Sequence, residues 1–133
     1  MRLHRQNVKL LGIKVGTDLA NFYNMCDIFI LMSRDLKYTI ESFGIAYIEA
    51  SYFGKPVIAG LSGGTEDAVV DGKTGFLVRS DDTGNLFKKI ALLIKDKKLR
   101  EKLGRAGRKR VIQGFFWKHN AKKLIKLLNS LKT

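Results

Sequence analysis

Apolar positions along this chain recur at two spacings, and each spacing predicts a set of elements. Short, unbroken apolar runs at Val8 to Leu11, Ile28 to Leu31, Val57-Ile58-Ala59 and Phe76-Leu77-Val78 read as strands. The third is wholly apolar, as expected of a parallel strand buried on both faces. Helical spacing runs from Asp18 to Met25, with Thr17 or Asp18 as N-cap. A second helix opens at Phe43-Gly44, where Ala46 and Ala50, four apart, leave one face small enough to press on a sheet. Gly54 falls where a helix C-cap wants positive φ, and Lys55-Pro56 then forces the chain extended. A short helix is expected over Thr65 to Val70, then a turn at Asp71-Gly72. Three helices close the chain: 83–95 behind Asp81 or Asp82, Asp96 to Ile112, and Trp117 to Leu131. The last is apolar at Ala121, Leu124, Ile125, Leu128 and Leu131, and Phe115, Phe116 and Trp117 are expected to anchor helices to one another.

The chemistry concentrates in residues 41–64. Glu41 and Glu49 flank a helix start at Gly44, whose unpaired backbone N–H groups make a ready anion site. Gly60, Gly63 and Gly64 follow a buried strand, where an open α/β sheet leaves room for a ligand. On a continuous helix the two carboxylates would stand roughly 12 Å apart along the axis. Glycosidase acid–base pairs sit about 5–9.5 Å apart, so separate hydrogen-bonding tasks along an extended ligand suit these two better. Each also has a plainer reading: Glu41 as a solvated loop charge, Glu49 as a surface helical glutamate, Gly63 and Gly64 as turn glycines.

In order, Glu41 and Glu49 with Phe43-Gly44 between them, then EASYFGKPVIAG, Gly63-Gly64 and DGKTGFLV, resemble the C-terminal, donor-binding domain of the group 1 (family 4) nucleotide-sugar glycosyltransferases with the GT-B fold. The resemblance runs from about Val8 to about Leu128. It implies an α/β, Rossmann-like three-layer domain with a mainly parallel sheet, followed by C-terminal helices. It also implies sugar transfer, with retained configuration, from a UDP-, GDP- or ADP-sugar to a glycan or lipid-linked acceptor in surface polysaccharide assembly. No metal or other cofactor is expected. Glu41 would accept hydrogen bonds from donor-sugar hydroxyls, as the catalytic-site carboxylate. The amides of Phe43, Gly44 and Ile45 would face the diphosphate or the sugar, and Glu49 would accept from the ribose hydroxyls. Met32 stands where relatives usually have proline, and Asp67 where they commonly have glutamate. Nothing before Val8 matches their N-terminal acceptor domain, or the first strand and Arg/Lys loop of this one. Residues 1–133 are therefore expected to form a single, partial domain with an open sheet edge. The alternative is a non-catalytic subunit, or an inactive relic, needing a separately encoded N-terminal half.

Charge adds a partner question. Residues 88–133 hold 16 Lys and Arg against Asp96 and Glu101, while residues 1–87 are nearly neutral. The basicity thus belongs to the C-terminal helices. Three readings stand: solvated lysine faces, an anionic membrane surface, or nucleic acid, which has no motif to support it and is not expected. The start MRLHRQN has no apolar core, and no run reaches the roughly 18 residues of a membrane span. A cytoplasmic enzyme is expected, peripheral to the inner face of the membrane if the second reading holds. The single cysteine, Cys26, is expected to be a buried inert thiol, and His4 and His119 carry no metal-ligand spacing. Gly72-Lys73-Thr74 superficially matches a phosphate loop, but Asp67 occupies the position that motif reserves for glycine.

Overall fold

The computed structural model describes residues 7–33 and 41–131. The loop expected over 34–40, and His4, lie outside that description. Three strands, β1 (Phe29–Leu31), β2 (Val57–Gly60) and β3 (Gly75–Val78), pair in parallel in the order β1-β2-β3. Helices α2 (Ile45–Tyr52) and α3 (Thr65–Ala68) make the crossovers, and α1 (Gly16–Met25) precedes β1. After β3 come α4 (Thr83–Lys95), α5 (Lys97–Gly114) and α6 (Trp117–Ser130).

The period of two along β2 separates two cores. Val57 and Ala59 point to one side, where they meet Tyr23 of α1, Tyr47 and Ala50 of α2, and Ala68 and Val69. Ile58 points to the other, among Phe76 and Val78 of β3, Leu93 of α4 and Leu103 of α5. Register follows the same division, with Phe29 and Gly75 flanking Val57, and Leu31 and Leu77 flanking Ala59. The result is a three-layer α/β domain. Every residue of β2 is buried, as its unbroken apolar run predicts.

Helix ends are set locally. The Asp82 carboxylate accepts from the Asn85 amide at 2.9 Å, and the Asp96 carboxylate from the Leu99 amide at 2.8 Å, capping α4 and α5. Asp81 instead pairs with Arg79 at 2.9 Å. Gly54 has φ 72°, the left-handed conformation that stops α2. Here α5 crosses α2: a Cβ on Gly104 would overlap the carbonyl oxygen of Gly54, and one on Gly107 would meet Ser51 at 3.3 Å. Two glycines on one face of α5 thus allow near-backbone contact.

Four expectations are corrected. Val8 to Leu11 forms no strand; it lies exposed, with Leu10 at 96%, because no neighbouring strand is described on that side of β1 to complete a ladder. Helix α1 begins at Gly16 behind Val15 with no side-chain cap, and Asp18 sits in its first turn, where a carboxylate complements the helix dipole. Helix α3 stops at Ala68, because the amide of Val70 is taken by Thr74 Oγ1 at 2.9 Å. Trp117 anchors nothing: it is 88% exposed, while Phe115 packs on Phe43 and Phe116 on Tyr52. No described helix is long and apolar enough to cross a membrane.

Candidate functional site

The site is assembled at the C-terminal ends of β1 and β2, around the start of α2. Gly44 caps that helix with φ 80° and no side-chain bond. Among the described residues, the amides of Phe43, Gly44 and Ile45 have no backbone acceptor. They are left as donors beside the positive end of the helix dipole. The Gly60–Gly64 loop is brought in close by two contacts that exclude a side chain. A Cβ on Gly60 would overlap the backbone of Ser33, and one on Gly64 the carbonyl of Ser42. The Gly64 amide also donates to the Glu41 carbonyl at 3.0 Å. These glycines therefore set the position of Glu41 and are more than turn formers.

Both carboxylates are half-buried and held by hydroxyls, so neither is a freely solvated charge. Glu49, on α2, accepts from the Tyr23 hydroxyl of α1 at 2.9 Å. Burial first, then this bond and the nearby carboxylate charge, push the Tyr23 hydroxyl well above its ordinary pKa, so it stays a donor. Glu41 accepts from Ser33 Oγ at 3.1 Å, and Ser33 Oγ lies 3.0 Å from the Tyr47 hydroxyl. Tyr47 in turn donates to the Leu31 carbonyl at 3.0 Å. Burial is the main cause raising the Tyr47 pKa as well. Two hydroxyl protons thus serve three contacts, which joins Glu41 to the end of β1.

Glu41 and the Phe43–Ile45 amides lie at the start of α2, and Glu49 lies one turn inside that helix. Glu41 is not on that helix, which begins at Ile45, so the helical estimate of the two carboxylates' separation does not apply. Pattern reading missed the holders Tyr23, Ser33 and Tyr47 as a set. A usable signal existed for Ser33, which lies two residues beyond the end of β1, where α/β sheets bind ligands. Cys26 is half-buried, its thiol pKa raised chiefly by burial, away from the thiolate.

A cavity of about 700 Å³ opens beside the start of α2, between Phe43, Ile45 and Ile48 on one wall and Arg110, Trp117 and Lys123 on another. Neither glutamate is among its lining residues. The Arg110 guanidinium is engaged by the carbonyls of Asp67 and Ala68 at 2.7 and 2.8 Å, so it buttresses α3. Among the described residues no three His, Cys, Asp or Glu side chains cluster as a metal site.

The parallel three-stranded sheet with helices on both faces has the α/β architecture of the GT-B glycosyltransferases. The profile described as "Glycosyl transferases group 1" matches residues 2–110. The chain belongs to this family. It is 39% identical over 110 residues to the capsular polysaccharide biosynthesis glycosyltransferase CapM of Staphylococcus aureus, covering 83% of this chain and 28% of that protein. The sucrose-phosphate synthase of Thermosynechococcus elongatus superposes with a TM-score of 0.72 at 34% identity, over 85% of this chain and 27% of that one. HepE of Anabaena, solved with UDP and glucose, does so with a TM-score of 0.74 at 26% identity, over 92% and 32%. The chain therefore spans less than a third of the length of each of these three relatives.

Proposed function

We propose that this chain is the donor-binding part of a retaining nucleotide-sugar glycosyltransferase of polysaccharide assembly. The observation that carries the reading is the pair of hydroxyl-anchored carboxylates on either side of the bare α2 start. Glu49 would receive the ribose diol, a pairing that dinucleotide folds also use. Glu41, outside the helix, would receive hydroxyls of the donor sugar. The amides of Phe43, Gly44 and Ile45 would meet the negative charge that grows on the departing diphosphate. Such preorganised donors cost no reorganisation as that charge develops, and no step here calls on a metal. CapM, a capsular polysaccharide biosynthesis glycosyltransferase, and HepE, solved with UDP and glucose, support the substrate class.

Acceptor recognition is assigned to further polypeptide, in line with the share of its relatives that this chain spans. An anionic membrane surface is the partner proposed for the basic C-terminal helices.

Calorimetric titration with UDP, GDP and ADP tests the donor site. One nucleotide should bind, and Glu49→Ala should weaken it by about tenfold or more, since a hydrogen bond to a charged group contributes about 1.5–3 kcal/mol. A folded chain that binds none of the three, or binds equally well as Glu49→Ala, overturns the assignment.

A further inference from the structure

Of the ten residues of α1 only Tyr23 is buried, at 7% exposure. Its ring is wedged between the sheet and the end of α2. It stacks on Phe53 with centroids 5.6 Å apart and tilts against Phe29 at the same distance. Phenylalanine would fill that space equally well, so packing does not account for the hydroxyl. Among the described residues the hydroxyl has one partner, the Oε2 atom of Glu49 at 2.9 Å, 26 positions away. Its pKa stands well above the ordinary tyrosine value, with burial as the main cause, which fixes the direction of the bond. Tyr23 donates and Glu49 accepts. Among the described residues no donor reaches Oε1, which is therefore the atom left for a ligand.

We propose that Tyr23 is a positioning residue for nucleotide binding: by tying down Oε2, it holds the Glu49 carboxylate in one orientation and leaves Oε1 for the ribose hydroxyls. The inference rests on the donor-site reading above, in which Glu49 receives the ribose diol, and adds the residue that aims it. Glutamate carries its carboxylate on a freely rotating chain, and a ligand that must order such a chain loses roughly 2–10-fold in affinity. The Tyr23 ring is packed on two sides, so here the orientation is set on folding rather than on binding. Glu41 is held differently. Its partner Ser33 belongs to a relay with Tyr47 and the end of β1, whereas Tyr23 acts on Glu49 alone.

Titration calorimetry on the full chain tests this with two probes: whichever of UDP, GDP and ADP binds, and the 2′,3′-dideoxy form of the same nucleotide. The parent should bind the dideoxy form more weakly. Tyr23→Phe keeps the ring and removes only the hydroxyl. It should weaken the ribonucleotide by roughly 3–10-fold and leave the dideoxy form within about twofold of the parent. Adding Tyr23→Phe to Glu49→Ala should cause no further loss, because Tyr23 acts through that carboxylate. A purely structural role would lower both probes together and would add to the Glu49→Ala loss. Three results therefore overturn the proposal: an unchanged ribonucleotide affinity in Tyr23→Phe, an equal loss for both probes, or additive losses in the double variant. Glu49→Asp repeats the test without touching Tyr23, since it keeps the charge but falls a methylene short of the hydroxyl. It should also lose ribonucleotide affinity, and binding at the parent level would overturn the proposal. Failure of the donor-site reading itself looks different: no nucleotide binds, or Glu49→Ala binds as the parent does, and either result overturns both.

Discussion

Residues 41–64 and helix α6 are both rich in apolar positions at regular spacing, yet they end in opposite surroundings. In the first, β2 is buried at all four positions and α2 presses through small residues onto both the sheet and α5. In the second no residue is buried. Amphipathic period alone does not bury a helix. What distinguishes the two is the set of close backbone contacts that only glycine at 60, 64 and 104 permits, together with the left-handed turn at Gly54, which leave α2 a single place to sit. Helix α6 has no such contact, and its apolar side is exposed.

The sharpest way to break this comparison is to place a methyl where α5 meets α2. Gly104→Ala should cost roughly 3 kcal/mol, because the added carbon lands on the Gly54 carbonyl and the two helices must part. Thermal denaturation followed by circular dichroism should show a fall in Tm of roughly 10 °C. Leu128→Ala in α6 should change stability by less than about 0.5 kcal/mol under the same conditions. Equal losses in the two variants would mean that α6 is packed in solution and the contrast is false.

A smaller effect belongs to the carboxylate site. Tyr23→Phe should cost about 1–2 kcal/mol, a charged-group hydrogen bond discounted for its partial exposure. It should also change the pH profile. The folded pKa of Tyr23 is raised above the ordinary tyrosine value, so its contribution is whole below about pH 10 and is lost as pH rises beyond that. Tyr47 shifts in the same direction. Urea unfolding on either side of pH 10 should therefore show a steeper alkaline loss in the parent than in Tyr23→Phe. Parallel profiles would mean that the hydroxyl is not held by Glu49.

The smallest effect is expected at the surface. Arg79 holds the Asp81 carboxyl below its usual pKa, so the pair stabilises above that range and is lost as the pH falls through the lowered value. Both side chains are about 70% exposed, at 71% and 68%, and solvent screens them. Arg79→Ala should leave the Tm unchanged within error at any salt concentration. A clear, salt-dependent fall would show that this exposed turn matters to folding.

The fold was legible wherever the signal is local. Val57 to Ala59 announces a strand buried on two sides, Asp82 and Asp96 stand where helices need a cap, and Gly54 stands where one must stop. Glu41 and Glu49 stood out only in order with EASYFGKPVIAG and DGKTGFLV, because two glutamates eight positions apart carry little alone. What escaped depends on distant parts of the chain. Tyr23 meets Glu49 across 26 positions, and no periodicity reports such a meeting. Val8 to Leu11 has strand composition, but a strand is a relation between two segments and a local pattern describes only one. Trp117 was read as an anchor because tryptophan usually is one, and its exposure became visible only once α6 had a position.

Gly44 carries a further consequence. A side chain there would meet two objections: the left-handed backbone at φ 80° and the ring of Tyr47, into which its Cβ would run. That ring ends in the hydroxyl that lies against Ser33, and Ser33 aims Glu41. A methyl at position 44 would therefore act at a distance, by tilting an aromatic lever whose far end sets the direction of a carboxylate three residues upstream. A residue without a side chain thus helps to set the direction of the Glu41 carboxylate.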